Sequence, residues 1–379
     1  MRYKLSDCVT IISGGTPKKS QESYWNGNIP WITVKDFNGK YVSTTTDSIT
    51  LEGLKHSSAN LTEDQDILIS ARGTVGKVLM VGAGYTFNQS IYCLRADRSV
   101  LVPDYLFYWL EKNVSLVKQG THGSVFETIT KDTFDHLTID LPDIEEQKKI
   151  AHKLSMFDRK INLNEQINDN LLETCKTNLH QLINEKEYEV TQIGNLDLIV
   201  SDHVANGSFK SLKDSVKYFD EPNFAIFLRN IDLKNRLDGN LKYIDKTSYN
   251  FLKKSHLFGG EVVISNVADV GSVHRVPRLK HPMVVGNNQI FIRSKNQSMN
   301  DYLFIFFNSK WGQHAIHSIT SGSAQQKFNK TDFKKLNIPI PTDNWVDNHI
   351  SPFLKMTDLN KAETRLLKRI KSSLLNKYF

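Results

Sequence analysis

From Leu141 to Gly194 the chain carries no proline after Pro142 and no glycine, and apolar residues recur at alternating steps of four and three. Ile150, Leu154, Phe157 and Ile161 set the register, which returns at Leu171, Cys175 and Leu182. That spacing predicts one long helix with a coiled-coil seam over residues 143–189. Asp143 can cap its first turn, and Glu146 stands where a capping box needs it. Roughly 40 residues at ~1.5 Å each give a rod of about 60 Å. Asn164, Asn168 and Asn178 fall on the seam, where polar residues lower stability but fix register. A second seam, Phe353, Met356, Leu367, Ile370 and Leu374, predicts a terminal helix over 345–379, with Asn360 and Glu363 as its polar interruption. The central rod is acidic, whereas the terminal one carries Lys361, Arg365, Lys368, Arg369 and Lys371, so the two are expected to pair.

Outside the rods the pattern shortens to β-prone runs separated by glycine-rich turns, at 29–34, 66–70, 75–81, 90–94 and 137–141. Pro103-Asp104 opens a short amphipathic helix from Tyr105 to Lys112. Laid against itself at an offset of about 195 to 200 residues, the chain repeats. Asp66-Ile67-Leu68-Ile69-Ser70 answers to Glu261-Val262-Val263-Ile264-Ser265, and Asp104-Tyr105-Leu106-Phe107 to Asp301-Tyr302-Leu303-Phe304. Gly123-Ser124 answers to Gly322-Ser323, and Ile150, Leu154, Met156 and Asp158 to Ile350, Leu354, Met356 and Asp358. The expected fold is α+β: two tandem domains, each a curled, mostly antiparallel sheet with short helices, each followed by a long helix, the two helices pairing antiparallel as a coiled coil. The expected divisions are 1–142 and 190–344 for the domains, 143–189 and 345–379 for the helices.

Composition changes this picture little. The 379 residues have ordinary apolar and charged fractions, and the net charge of +7 suits a polyanionic partner without requiring one. No apolar run approaches the ~18 residues of a membrane span, and the opening residues lack a signal-peptide core, so the expected location is the cytoplasm, with no membrane partner. Cys8, Cys93 and Cys175 are too scattered for a disulfide framework or zinc knuckle and are expected to be buried thiols.

A reader of DNA sequence needs polar side chains that reach base edges and cations that hold phosphates. The first domain offers Thr16, Lys18, Lys19, Lys35, Arg72, Lys77, Ser124 and Lys131 in or beside turns. The second offers Lys210, Arg229, Arg275, Arg278, Ser323, Gln325, Gln326, Lys327 and Lys330. Gln325, Gln326, Arg72 and Arg275 are the preferred base readers, because Gln matches adenine and Arg guanine bidentately. Gln89 and Gln289, kept in both halves, suit a structural turn better. No catalytic pattern is present: there is no nucleotide loop after a strand and no Asn-Pro-Pro-aromatic element. The acids around Pro142-Asp143 and Glu146-Gln147-Lys148 are explained by capping. His314 and His317 lack a third metal ligand. The aromatic runs at 105–109 and 302–307 sit in amphipathic helices and read as core.

Leu141-Pro142 followed by Glu146-Gln147, Ile150, Leu154, Asp158 and Ile161 resembles the signature of the specificity subunits of type I restriction-modification systems. The Ser13-Gly14-Gly15-Thr16-Pro17 opening, the Ile29-Pro30-Trp31-Ile32 run, the Gly73-Thr74-Val75-Gly76 turn and the duplication extend the resemblance over the whole chain. The second half departs from it at Asn206, Phe209 and Trp345-Val346-Asp347. The resemblance implies a non-catalytic subunit with two target recognition domains, each reading half of a split, asymmetric sequence in double-stranded DNA, held apart by the helices. It also implies docking of two modification (adenine methyltransferase) subunits and of restriction subunits. No cofactor is then expected on this chain; S-adenosylmethionine, ATP and Mg2+ would be used by the partners. A different class of protein, a coiled-coil scaffold with domains that bind nucleic acid without reading it, fits the same charge and rods.

Overall fold

The computed structural model describes residues 1–42, 44–119, 128–322 and 325–379. In the first domain, strands β1 (Val9–Ser13), β2 (Asp66–Ser70), β3 (Val78–Val81) and β4 (Ile91–Ala96) form an antiparallel sheet in the order β1-β4-β2-β3. The second domain repeats it with β5 (Ile199–Asp202), β6 (Val262–Ser265), β7 (Val273–Arg275) and β8 (Gln289–Arg293) in the order β5-β8-β6-β7.

The buried run at β2 shows why these segments are so uniformly apolar. Successive side chains of a strand point to opposite faces. Ile67 and Ile69 join a core with Leu106 and Leu110 of the helix Pro103–Gln119, whereas Leu68 joins a second core with Ile32 and Phe87. In β6, Val262 and Ile264 likewise pack with Leu303 and Phe306, and Val263 with Ile226 and Val285. Each sheet is covered on both faces, so its strands cannot alternate apolar with polar. What covers the second face is a further sheet, so the single curled sheet expected in each domain is resolved into separate ones. Trp25–Ile32 carries Asp47–Ile49 and Thr86–Phe87 as neighbours, the latter parallel. The counterpart in the second domain has five strands, with Ala225–Leu228 parallel to Met283–Val285. The aromatic helices are core, as expected: Tyr105, Phe107, Tyr108 and Trp109 are buried, as are Tyr302, Phe306 and Phe307.

The central helix runs from Ile144 to Glu185. The terminal helix runs from Ser351 to Tyr378, after a short turn of helix at Trp345–His349 that breaks at Ile350 (φ −127°, ψ −58°). Asp143 accepts the Glu146 amide at 2.8 Å, while Glu146 turns to Lys149 rather than back to the cap. Gln147 is buried and anchors the helix start: it donates to the carbonyls of Val100 (2.9 Å) and Pro142 (3.0 Å) and accepts from the Val102 amide (2.9 Å).

The chain divides into two units, Met1–Leu163 with Thr364–Phe379, and Asn164–Glu363. Each unit contains one domain and a stretch of both long helices, and in each the helices run antiparallel. In the first, Lys371 meets Asp158 at 2.6 Å, and Leu154 and Leu375 share one core. In the second, Asn164 donates to Glu363 at 2.7 Å, Asn360 to Asn168 at 3.0 Å and Asn178 to the His349 carbonyl at 2.9 Å. Asn164 and Asn168 therefore bond across the pair, and Asn178 bonds the turn that leads into the terminal helix. Ile150, Leu154 and Leu182 are buried and Phe157, Ile161, Leu171, Phe353, Leu367 and Leu374 half-buried. Met356 and Ile370 are a correction to the expected seam: they are 49% and 39% exposed, while the next residues, Thr357 and Lys371, are buried. Apolar periodicity cannot find a seam position held by a lysine.

Candidate nucleic-acid interface

Register decides where the loops emerge. In the first domain Ser13 stands opposite Tyr92, Ser70 opposite Ile91, and Ile69 opposite Val78. The segments leaving β1 and β2 and those entering β3 and β4 therefore meet at one end of the sheet. Backbone bonds lock them there: Gly15 to the Phe87 carbonyl (2.9 Å), Ala71 to Ser90 (2.7 Å) and Ile129 to Ala71 (3.0 Å). Asn88 donates to Ile32 at 3.0 Å, which brings the segment holding Lys35 to the same turn. Gly14 is required by this close approach, since a Cβ there would lie 2.0 Å from the Asn88 carbonyl oxygen. Thr16 donates to the Gln89 side chain. Lys18, Lys19, Lys35, Arg72, Lys77 and Lys131 are exposed around this end. Ser124 and Ser323 lie outside the described residues.

The second domain repeats the arrangement. Asp202 stands opposite Ile290, Ser265 opposite Gln289, and Ile264 opposite Val273. Ala268 donates to Gln326 (3.0 Å) and Phe328 to Asn266 (3.1 Å), drawing residues 325–330 to the same end. Lys210, Gln325, Gln326 and Lys327 are exposed there. Lys330 is tied to Asp202 at 2.7 Å. Arg229 is also at this end, since Leu228 accepts the Gly286 amide at 2.8 Å, but its guanidinium is held by Asp232 (2.6 and 2.9 Å) and the Asn240 carbonyl. Gln289 is buried and donates to the Leu228 carbonyl at 2.9 Å, the structural turn contact expected of it.

Two arginines leave the convergent set. Arg275 pairs with Val262, at the end of the sheet away from the loops. Its side chain is 7% exposed and bonded to Asp301 (2.7 Å) and Asp358 (2.9 Å). Burial raises the Asp301 carboxyl above its usual range, and the Arg275 charge opposes the rise. Arg278 follows on the same far side, exposed, with a 2.8 Å bond to Gln297. β7 carries the chain to the far end of the sheet before residues 276–278 begin, so neither arginine lies beside the other candidates. Lys253 and Lys254 were missed: the Lys254 amide donates to Asn206 at 2.8 Å, placing that exposed turn beside residues 203–209. Some fifty residues of sequence separation hid the contact.

Cys8, Cys93 and Cys175 are buried free thiols, and burial pushes the Cys175 thiol up to about 12. Among the described residues no group of three or more His, Cys, Asp or Glu side chains is placed to hold a metal ion, and no helix is long and apolar enough to cross a membrane.

Residues 1–173 and 186–373 each match the type I restriction modification DNA specificity domain. The chain belongs to that family. Over 160 residues it is 32% identical to the type I restriction enzyme MjaIX specificity subunit of Methanocaldococcus jannaschii, covering 41% of this chain and 37% of that protein. Over 157 residues it is 33% identical to the type I restriction enzyme EcoR124I/EcoR124II specificity subunit of Escherichia coli, covering 39% and 38%. These matches thus span under two-fifths of either relative. The crystal structure of a type I restriction-modification system S subunit from M. genitalium shares the fold across 100% of this chain and 96% of that one, with a TM-score of 0.58 at 13% identity.

Proposed function

We propose that this chain reads a split, asymmetric sequence in double-stranded DNA, one domain to each half-site, and performs no chemistry itself. One observation carries the reading: two sheets of identical strand order each gather their loops at one end, and those loops expose Lys18, Lys19, Arg72 and Lys77 in one domain and Lys210, Gln325, Gln326 and Lys327 in the other. Exposed lysines supply sequence-independent, salt-dependent affinity. Gln325, Gln326 and Arg72, whose guanidinium makes no ion pair among the described residues, supply discrimination. The paired helices act as the ruler between half-sites. In this reading the chain works in the cytoplasm with two adenine-methylating modification subunits and with restriction subunits, which bring S-adenosylmethionine, ATP and Mg2+.

The test is a strand-resolved map of methylated adenine in host DNA with and without this chain. Loss of methylation at one split motif is expected, and it identifies both half-sites at once. An unchanged pattern overturns the proposal. Titration of that motif against random duplex at fixed salt separates a sequence reader from a scaffold that binds DNA indifferently.

A further inference from the structure

Phe209 opens the short helix Phe209–Ser215 and is 85% exposed. Laid against it in sequence, residues 205–210 against 13–18, the first domain has Pro17, which is buried. The loop that presents Phe209 is fixed. Asp202 accepts the Ala205 amide at 2.8 Å as well as Lys330. Asn206 donates to the His203 carbonyl (3.0 Å) and accepts the Lys254 amide (2.8 Å), and Ser208 caps the helix by accepting from Ser211 at 3.2 Å. The ring is therefore held out at the loop end of the sheet. Lys210 and Lys213, on the same helix, and Lys253 and Lys254, on the turn tethered to Asn206, are all exposed. None of the four makes a side-chain ion pair among the described residues.

An apolar ring kept in water on a lysine-bearing helix beside a lysine-bearing turn suits a partner that is anionic outside and presents flat π-faces within. Duplex DNA is that partner: lysines neutralise phosphates, while an inserted apolar side chain unstacks one base step and takes the place of the lost stacking. We propose that Phe209 is a wedge that opens one base step in the half-site read by the second domain, and that the first domain, with Pro17 packed away, has no such wedge. The inference rests on the DNA-reading function proposed above.

The test uses the full chain with its co-purified partner subunits and duplexes bearing the methylation-defined motif, with 2-aminopurine replacing each adenine in turn. Apart from the adenines that the modification subunits turn out of the stack in both half-sites, the wild type should brighten at one further step, in one half-site only. Phe209→Ala should abolish that further brightening and weaken motif binding roughly ten-fold, the scale of one lost base–aromatic stack. The slope of affinity against salt should stay unchanged, because Phe209 neutralises no phosphate. Phe209→Trp should retain the brightening, and Pro17→Ala should leave it in place. Brightening at that further step that survives Phe209→Ala, or none there in the wild type despite specific binding, overturns the wedge alone. If the wild type does not prefer the motif to random duplex, the DNA-reading function itself falls, and the wedge with it.

Discussion

Lys371 and Asp158 meet at 2.6 Å across the helix pair, at a seam position where a coiled coil ordinarily places an apolar side chain. Lys371 also bonds Glu111 at 2.9 Å and lies 5.1 Å above the Tyr108 ring, whose hydroxyl donates to Asp158 at 2.6 Å. Burial, with the Asp158 charge behind it, drives the Tyr108 hydroxyl pKa well up, so the phenol stays a donor. The duplicated carboxylate, Asp358, is met instead by Arg275. The repeat keeps the acid and changes the cation.

Lys371→Met should destabilise the first unit by about 2–3 kcal/mol, below the range for a fully buried pair because Asp158 retains some solvent contact. Adding Asp158→Asn should recover most of that loss. Urea denaturation of the two variants decides it; equal midpoints for single and double variant would show that the two residues are not coupled.

Arg275→Ala leaves Asp301 buried beside Asp358 without its cation, and should cost about 3–5 kcal/mol in the second unit. Base preference measured on the folded fraction should not change. A variant of full stability that relaxes one half-site would return Arg275 to the base readers.

The seam shift gives a paired expectation. Leu354→Ala, at a buried position, should cost about 2–5 kcal/mol, and Met356→Gln, at an exposed one, less than about 0.5 kcal/mol. Comparable losses in thermal or urea unfolding would restore Met356 to the seam.

His274 in β7 bonds Ser272 at 2.9 Å, and its pKa is lowered to about 4 by burial first and by Lys234 and Lys361 next, with Asp269 opposing. A folded-state pKa below the unfolded value of ~6.5 means that this stability is fully present above that value. It is lost as pH falls from about 6.5 through about 4. Stability followed across that window should fall more steeply for the wild type than for His274→Gln, and parallel curves would refute the assignment.

How much of this was legible depended on whether a residue's role shows in its neighbours along the chain. The duplication, the long helices and the asparagine rungs did, because periodicity and offset are local or repeated signals. Gln147 announced itself beside Glu146, though its bonds to Val100 and Val102 did not. Arg275 and Lys371 misled for opposite reasons. An arginine next to a turn looks like a solvent residue until the sheet register places it, and a lysine on a helix is assigned to the wet face until Asp158 and Glu111 are found beneath it. The second sheet of each domain was hidden because strands apolar on both faces carry no alternation to show what covers each face.

The asparagine rungs bear on how this protein can change its reach. Moving the partner of Asn164 seven residues along the terminal helix exchanges Glu363 for Met356 or Ile370, neither of which can accept its amide; Asn168 would lose Asn360 as well. Each stranded polar group costs about 1–3 kcal/mol where it is buried. The helix pair is thus notched: it seats in one position and resists sliding. Lengthening one helix alone should unseat it, whereas a heptad inserted near Asn168 together with one near Glu363 preserves every notch. With the matched insertion the methylation map should report the same half-sites at a longer gap, and an altered half-site at the old gap would exclude the ruler. Evolution of such a molecule would lengthen both helices together, or neither.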